Sequence, residues 1–320
     1  MALKDKLLVF LANSPDTLYS GEMLAARFQV TRAAVWKAVR QLQDEGFEIG
    51  VSGGKGYSFS GRNDFLQDTL IHEYAGNASF PLHVLDTVDS TNNEARRMVL
   101  NGAADGTYIA ANSQTAGRGR SGKSFYSPAN TGLYVSYIMR TGESVEQLQK
   151  LTMAAAVAVC RALRECTDCD PKIKWVNDIY LGRRKVAGIL TEAITDFETM
   201  RTDAVIIGIG INCRTREFPE ELQEIAGSLN DPALSRNKLA GRLYTHLVKC
   251  IAERNDPEIL EAYREASFLP GRKISFLHNN KTLQGTAVSV NDRGGLQIVL
   301  DTGEEMTVSS GEVSILSWDQ

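Results

Sequence analysis

A loop rich in glycine and arginine, AGRGRSGKSFYSP at residues 116–128, carries the side chains best suited to phosphate chemistry. Gly117, Gly122, Lys123 and Ser124 fit the nucleotide-binding pattern G-x-x-x-x-G-K-[ST] letter for letter. The strand-like TYIAANS precedes the loop, but the proline and glycine of FYSPANTG follow it and disfavour a helix. Because no helix N-terminus would then face a phosphate, a true P-loop is disfavoured.

The same loop still favours anion binding. Gln114 ends the preceding strand, and Arg118 and Arg120 alternate with glycines such as Gly119 that let the backbone approach an anion closely. Two guanidinium groups can neutralise a polyphosphate and stabilise charge that develops during group transfer. The alternative interpretation is a solvated basic loop.

A second polar group lies in DTVDSTNNEARRMVL. Thr91 and Glu94 have the spacing of a capping box, which predicts that a helix begins here. Ser90, Thr91 and Asn92 would then lie at the mouth of the helix, where they could hold a small polar ligand. The simpler alternative is that they only cap the helix.

A third group lies in KIKWVNDIYLGRRKVAGILTE. Lys174, Asn177 and Asp178 come at the end of a predicted strand, and the oxygens of Asn177 and Asp178 suit Mg²⁺ beside a nucleotide. A hairpin turn at GRR returns Lys185 to the same end of the sheet. A fourth stretch, IIGIGIN, reads as a buried strand that ends at Asn212, and its lone G-I-G is a weak sign of a dinucleotide site.

Other kinds of catalysis find little support in the sequence. The four histidines are isolated, and no Ser/His/Asp set or zinc cluster is present. The Cys166–Cys169 pair has no second pair at metal spacing, and an odd total of five cysteines suits reduced thiols in a cytoplasm. Positioning of phosphates by Lys, Arg and Mg²⁺ is therefore the favoured chemistry.

Three segments must position these residues, and together they predict a multidomain α/β (α+β) protein. Residues 1–62 read as a winged helix-turn-helix, with Ser20 and Thr31 as N-caps and Gly46 as a helix stop. Residues 63–268, after a linker at 58–65, alternate strands and helices. Residues 269–320 read as short strands of an SH3-like β-barrel, and no apolar run is long enough to span a membrane.

The winged helix-turn-helix carries a basic stripe on a chain whose formal net charge is −4. The second helix of such a motif enters the major groove of DNA, and no acidic residue occurs between residues 29 and 43. The candidate DNA-binding residues are Thr31, Arg32, Lys37, Arg40 and, on the wing, Lys55. The alternative is a winged helix used for protein contacts.

These motifs together resemble one known family, the bifunctional biotin protein ligases that also repress the biotin operon. The motifs in family order are Ser-Thr-Asn at 90–92, GRGRSG at 117–122, KWVND at 174–178, RKVAGIL at 184–190 and GIGIN at 208–212. The domain order agrees as well, so the resemblance covers essentially the whole chain. It implies a class II synthetase-like mixed-sheet core and attributes the P-loop match to chance.

The resemblance also implies a reaction. Biotin and ATP, with Mg²⁺, form biotinyl-5′-AMP and pyrophosphate, and a lysine of a biotin carboxyl carrier protein then takes the biotin and releases AMP. The same protein would bind operator DNA as a repressor of biotin genes, as a homodimer when ligand-bound, in the cytoplasm.

Roles follow from the matched positions. Biotin would meet Ser90, Thr91, Asn92, Gln114, Arg118, Gly119, Arg120 and Lys185; ATP would meet Arg120, Lys174, Asn177, Asp178 and Asn212. Lys185, Arg118 and Arg120 would be catalytic, and Asp178 would be the Mg²⁺ ligand.

Two departures from the family pattern occur. Phe125 replaces a tryptophan and should still pack the loop, whereas Val176 replaces a proline and should loosen the turn before Asn177. Three alternatives stay open: a lipoate ligase, which GRGRSG with KWVND disfavours; a biotin-sensing repressor without ligase activity; and a ligase that no longer binds DNA.

Overall fold

The computed structural model describes residues 1–52, 56–60, 65–142, 147–195, 202–279 and 281–316. The chain divides into two compact units. The N-terminal unit contains Met1–Ser79 and Ser235–Gly241, and the main unit contains Phe80–Leu234 and Arg242–Gln320. Within the described ranges, the helices are too short or too polar to cross a membrane.

The N-terminal unit has the predicted order of three helices and a hairpin. Its elements are α1 (Leu3–Ala12), α2 (Gly21–Phe28), α3 (Arg32–Asp44), β1 (Ile49–Ser52), β2 (Gly56–Phe59) and α4 (Asp68–Tyr74). The predicted N-caps are confirmed, because Ser20 Oγ accepts the Met23 N–H at 3.1 Å and Thr31 Oγ1 accepts the Ala34 N–H at 3.2 Å. Apolar side chains at helical spacing, among them Leu7, form the buried core of this unit.

The helix α4 was not predicted from the sequence. It follows the predicted linker, whose residues 61–64 lie outside the described ranges, and it buries Leu70 and Ile71. Asn237 fastens the chain just before α4, accepting the Gln67 N–H at 2.7 Å and donating to the Phe65 carbonyl at 2.8 Å. The N-terminal unit therefore extends beyond residue 62, to Ser79.

The main unit is built on a mixed seven-stranded sheet. Its strands are β3 (Leu82–Val88), β4 (Tyr108–Gln114), β5 (Gly132–Arg140), β6 (Lys172–Lys174), β7 (Asp178–Leu181), β8 (Arg184–Thr195) and β9 (Thr202–Asn212). They lie in the order β3-β4-β5-β9-β8-β7-β6, and of these neighbours only β3 and β4 run parallel. The helices are α5 (Thr91–Leu100), α6 (Leu148–Cys166), α7 (Arg236–Ala252, divided between the units) and α8 (Pro257–Ala266).

The strand predicted at residues 172–176 is shorter than expected. β6 ends at Lys174, the chain turns through Asn177, and Asp178 begins β7 instead of ending a strand. The turn that we expected to be loose is held by buried contacts, since the Val176 carbonyl accepts the Tyr263 hydroxyl at 3.2 Å and the Trp175 indole N–H donates to the Gly294 carbonyl at 2.8 Å.

The remaining strands form a five-stranded antiparallel sheet in the order β13-β12-β11-β10-β14. These are β10 (Lys273–His278), β11 (Lys281–Val290), β12 (Leu296–Leu300), β13 (Glu305–Val308) and β14 (Val313–Ile315). The turn between β11 and β12 fastens this C-terminal sheet to the rest of the main unit. The Gly294 carbonyl accepts the Trp175 indole N–H, and Arg264 of α8 pairs with Asp292 at 2.8 Å.

Candidate active site

A cavity of about 360 Å³ in the main unit gathers the polar groups that the sequence singled out. It lies between the ends of β4, β8 and β9, the loop after β4 and the start of β14. Its lining includes Ser90, Thr91, Asn92, Gln114, Arg118, Gly119, Arg120, Lys174, Asn177, Asp178, Lys185 and Asn212. Residues that are up to 122 positions apart therefore meet in one space of the size of a small-ligand pocket.

At the mouth of α5 the predicted capping box is wrong. Ser90 is the N-cap residue and makes no side-chain cap, and Glu94 instead accepts from the Arg97 guanidinium at 2.8 Å. The Thr91 backbone N–H and hydroxyl both donate to Gln114 Oε1, at 2.8 and 3.1 Å. The strand β4 thus supplies the acceptor that holds this end of the cavity, and these polar groups do more than cap a helix.

The arginine loop, residues 117–125, folds back on itself. The Gly119 N–H donates to the Lys123 carbonyl at 2.7 Å, and the Phe125 N–H donates to the Gly117 carbonyl at 2.9 Å. A single 3₁₀ turn at Arg120–Gly122 replaces the helix that a P-loop would need. The segment that matches the nucleotide-binding pattern G-x-x-x-x-G-K-[ST] is therefore not a P-loop.

Glycines in β8 and β9 make room for this loop. A Cβ on Gly210 would lie 2.5 Å from the Phe125 ring, and a Cβ on Gly208 would lie 2.1 Å from Asn92 Oδ1. The two glycines of the G-I-G in β9 therefore leave space for the side chains of Asn92 and Phe125. Phe125, which replaces the family's tryptophan, packs against Gly210.

The two loop arginines are engaged with different partners. The Arg118 guanidinium meets Glu192 in a fork, with Nη2 3.0 Å from Oε1 and Nη1 3.3 Å from Oε2. Arg120 Nη1 donates to Asn177 Oδ1 at 3.0 Å, which links the loop to the turn before β7. Neither arginine is a freely solvated side chain, so the alternative of a solvated basic loop is disfavoured.

The opposite wall holds the remaining cations. Lys185 Nζ lies 2.6 Å from Asp178 Oδ1, while Lys174 Nζ lies 5.9 Å from the centroid of the Tyr180 ring. Burial lowers the pKa of Lys174, and the nearby Asp178 carboxylate only partly opposes this effect. Asn212 is buried and donates to the Gly227 carbonyl at 3.0 Å.

Two carboxylates at this site were missed by the sequence analysis. Glu192 on β8 contacts Arg118, and Glu312, just before β14, lies 2.5 Å from Lys123 Nζ. Burial raises the pKa of Glu312, but the hydrogen bond and charge of Lys123 outweigh it and hold that pKa below its usual value. Glu192 ends the quoted stretch KIKWVNDIYLGRRKVAGILTE but was not singled out there, and Glu312 stands in no motif. Only the folded sheets bring these two residues to the loop.

A metal centre made only of protein ligands is not found here. The described ranges contain no group of three or more His, Cys, Asp or Glu side chains that could hold a metal ion. Asp178, the predicted Mg²⁺ ligand, is paired with Lys185, and Asn177 Nδ2 donates to the Ile189 carbonyl at 2.9 Å.

The second candidate surface is α3 of the N-terminal unit. Thr31, Arg32, Lys37 and Arg40 are exposed on or beside this helix, whereas Lys55 lies outside the described residues. Trp36 is 57% exposed on the same helix, and the Arg40 guanidinium lies 5.8 Å from the centroid of a Trp36 ring. The exposed part of α3 is thus cationic with one large aromatic side chain.

Comparison with known proteins agrees with both surfaces. Residues 84–212 match the Biotin/lipoate A/B protein ligase family, residues 4–58 match an HTH domain, and residues 271–316 match a biotin protein ligase C terminal domain. The biotin–[acetyl-CoA-carboxylase] ligase of Mycobacterium tuberculosis is 32% identical over 260 residues, which cover 78% of this chain and 93% of the relative.

A sequence match over more of the chain and a match to a solved structure agree with this result. The bifunctional ligase/repressor BirA of Bacillus subtilis is 29% identical over 311 residues, covering 94% of this chain and 95% of the relative. A biotin protein ligase from Aquifex aeolicus, solved in complex with biotin and ATP, superposes with a TM-score of 0.65 at 28% identity, covering 74% of this chain and 99% of that one. The chain belongs to the biotin protein ligase family, in the form that carries an N-terminal helix-turn-helix domain.

Proposed function

We propose that the protein is an ATP-dependent ligase that activates biotin as biotinyl-5′-AMP and transfers it to a lysine of a biotin carboxyl carrier protein. The observation that carries the proposal is the single cavity in which Lys185, Arg118 and Arg120 meet the polar mouth of α5. The Mycobacterium tuberculosis relative, named for this reaction, is similar over 93% of its length.

The first step joins the biotin carboxylate to the α-phosphorus of ATP. A carboxylate oxygen forms the new P–O bond, and the bond to the pyrophosphate leaving group breaks. Lys185 and Arg120 stabilise the negative charge on the phosphate oxygens, since fixed cations in a partly desolvated cavity cost no reorganisation during the reaction. Ser90, Thr91, Asn92 and Gln114 hold the biotin end, and Lys174, Asn177, Asp178 and Asn212 serve the nucleotide.

The second step consumes the mixed anhydride. The neutral amine of the carrier lysine attacks the acyl carbon, the bond to the phosphate oxygen breaks, and AMP leaves while the amine loses a proton. The arginine loop covers the anhydride and keeps water from competing with the lysine. Arg118 contributes to this exclusion of water because it is part of that loop.

Mg²⁺ fits this cavity as a companion of ATP. It commonly binds one or two carboxylates and takes its other ligands from phosphates and water. Asp178 would hold it once the Lys185 ammonium turns to the substrate, and the ion would neutralise phosphate charge. Two carboxylates, Asp178 and Glu312, line the cavity, which is enough for such a site.

The N-terminal unit extends the proposal to gene regulation. We infer that α3 enters the major groove of operator DNA and that the protein represses biotin genes, because its exposed cations suit a duplex. Two half-sites need two recognition helices, so the ligand-bound protein acts as a homodimer. The five free cysteines suit a reducing cytoplasm.

The finer fold assignments belong to the same proposal. The mixed sheet is a class II synthetase-like core, and the C-terminal sheet is an SH3-like barrel. The three domains span residues 1–62, 63–268 and 269–320, although the compact N-terminal unit continues to Ser79. The matches at residues 4–58, 84–212 and 271–316 support this division.

The test mixes pure protein with biotin, MgATP and a biotin carrier domain, and follows carrier mass and pyrophosphate release. Biotinylated carrier with stoichiometric pyrophosphate is expected, and Lys185→Met should lose both. Pyrophosphate without carrier labelling would contradict the assumed acceptor. Neither signal, or labelling with lipoate instead of biotin, would contradict the ligase.

A further inference from the structure

Glu192 joins three elements around the cavity. Its Oε2 accepts from Asn92 Nδ2 at 2.8 Å, and its Oε1 lies 3.0 Å from Arg118 Nη2 and 3.2 Å from Arg96 Nη2. The side chain is only 14% exposed. The Glu192 carboxylate on β8 therefore links the arginine loop to α5, and each of its two oxygens has partners in these elements.

Asn92 is equally occupied. Its Oδ1 accepts the Ser136 hydroxyl at 2.6 Å, and its Nδ2 donates to Glu192 and to the Leu190 carbonyl at 3.3 Å. The side chain is 3% exposed and sits where β9 has Gly208. In this arrangement Asn92 fixes the rotamer of Glu192, because a buried amide with both ends satisfied has one orientation.

Arg118 needs such a partner. Its side chain is 40% exposed, and besides Glu192 its guanidinium contacts Asn93 Oδ1 at 3.1 Å. Fixing a long arginine side chain in one conformation costs conformational entropy. A bidentate guanidinium–carboxylate pair offsets that cost and also fixes the direction of the side chain.

We propose that Glu192 is a positioning residue for the ligase reaction, which holds Arg118 and so keeps the arginine loop closed over the acyl-adenylate. This inference rests on the proposed function. Asn92 acts one step further back, as the residue that aims Glu192. Glu192 acts on retention of the intermediate, while the cations Lys185 and Arg120 act on its formation.

The test measures two rates on the full chain: pyrophosphate release in a single turnover, and escape of labelled biotinyl-AMP from the isolated complex. Glu192→Gln keeps an acceptor for Asn92 but removes the charge that holds Arg118. We expect adenylate escape to rise about five- to tenfold, with pyrophosphate release changed less than about twofold. Raising ionic strength should speed escape from the wild-type protein more than from the variant, because only the wild-type protein has the Arg118–Glu192 pair for salt to screen.

The matched control is Arg96→Met. This substitution removes the ion pair of Glu192 with α5 but leaves the Asn92 hydrogen bond and the pair with the loop, so escape should stay within about twofold of wild type. If Arg96→Met releases adenylate as fast as Glu192→Gln, Glu192 has a general structural role and the inference is wrong. Unchanged escape from Glu192→Gln also overturns it.

A double-mutant cycle keeps the inference testable if Glu192→Gln is unstable. Glu192→Asp shortens the side chain and retains the charge, and it should give an intermediate escape rate with a melting temperature near that of wild type. In an Arg118→Gln background, Glu192→Asp should add nothing to escape, because Arg118 is the route of its effect. Additive effects would overturn the inference. Failure of the wild-type protein to form any adenylate would instead contradict the proposed function.

Discussion

At the scale of single residues, the cationic side chains around the cavity differ in whether their hydrogen-bond partner is charged. Lys185 is paired with Asp178, Arg118 with Glu192 and Lys123 with Glu312, whereas Arg120 is held by the neutral amide of Asn177. An arginine whose hydrogen-bond partner is uncharged keeps its full positive charge for a ligand. Arg120 is therefore the loop residue best placed to meet the adenylate phosphate.

Arg120→Gly is expected to release biotinyl-AMP into solution and to label proteins indiscriminately. The substitution removes both the cation and the hydrogen bond that ties the loop to Asn177. Mass spectrometry of a mixture of carrier domain and an unrelated lysine-rich protein measures the effect. Arg120→Lys, which keeps the charge, should label the bystander less, and labelling confined to the carrier would refute the expectation.

Lys174 should make ATP binding sensitive to alkaline pH. Burial lowers the pKa of Lys174 from its ordinary 10.5, so the cation is lost at a lower pH than that of an exposed lysine. Because the charged form binds phosphate, KM for ATP should be lowest below that reduced pKa and rise as the pH passes through it. Lys174→Arg stays charged and should flatten the rise; an identical rise in that variant would exclude Lys174 as its source.

At the scale of elements, β9 contributes to the cavity through two glycines that leave space for other side chains. Gly208 and Gly210 leave space for Asn92 and Phe125, and the aromatic ring then closes one end of the arginine loop. The helix α3 acts in the opposite way, through an exposed surface that carries cations and Trp36.

Gly210→Ala should weaken biotin binding by opening the loop. The new methyl group would lie 2.5 Å from the Phe125 ring, which must move because the strand backbone cannot. Displacing a packed ring costs about 1–3 kcal/mol, so the biotin Kd from calorimetry should rise about tenfold. Gly142→Ala, whose Cβ meets nothing within 4 Å, is the matched control. Equal Kd values for the two variants would show that Phe125 does not govern closure.

Lys37→Ala should weaken DNA binding by removing a phosphate contact. The slope of log K against log salt should fall by about 0.9, the value for one released counterion. Fluorescence anisotropy with operator DNA over a salt series gives that slope. Lys6→Ala, on the exposed part of α1, should leave the slope unchanged. A loss of affinity with the wild-type slope would indicate an indirect effect on the fold.

At the scale of the whole molecule, the cavity is built from sheets that are distant in sequence. The C-terminal sheet contributes Glu312 to the cavity and is fastened to the rest of the main unit through Trp175 and Gly294. Part of the candidate active site is therefore supplied by a segment whose own sequence carries no catalytic motif.

Glu312→Gln should loosen the far end of the arginine loop. The Lys123–Glu312 pair is more than a third exposed on both sides, so its loss should raise KM for ATP only about two- to threefold. Steady-state kinetics at low and high salt test this, since high salt should erase the difference. Glu305→Gln, exposed on β13 of the same sheet, is the control. An effect that persists in high salt would point to a direct role of Glu312 with ATP.

Several features of this protein could be predicted from the order of its amino acids. Local backbone preferences predicted the helix N-caps at Ser20 and Thr31 and the strands of apolar residues. The motifs GRGRSG and KWVND indicated the family and its chemistry. Proline and glycine after Ser124 already disfavoured a P-loop before the 3₁₀ turn at Arg120–Gly122 excluded it. The central candidate residues were found because each stands in a motif.

The tertiary structure alone decided which groups are partners. Glu192 and Glu312 were not singled out from the sequence, and the capping box at Thr91 failed because Gln114, 23 positions away, offers Thr91 an acceptor. The helix α4 was missed because its burial depends on distant residues of the N-terminal unit. Ion pairs and burial depend on distances in space, and local sequence patterns constrain those distances only weakly. Arg118 and Glu192, for example, meet only because β8 and the loop after β4 lie together in the folded unit.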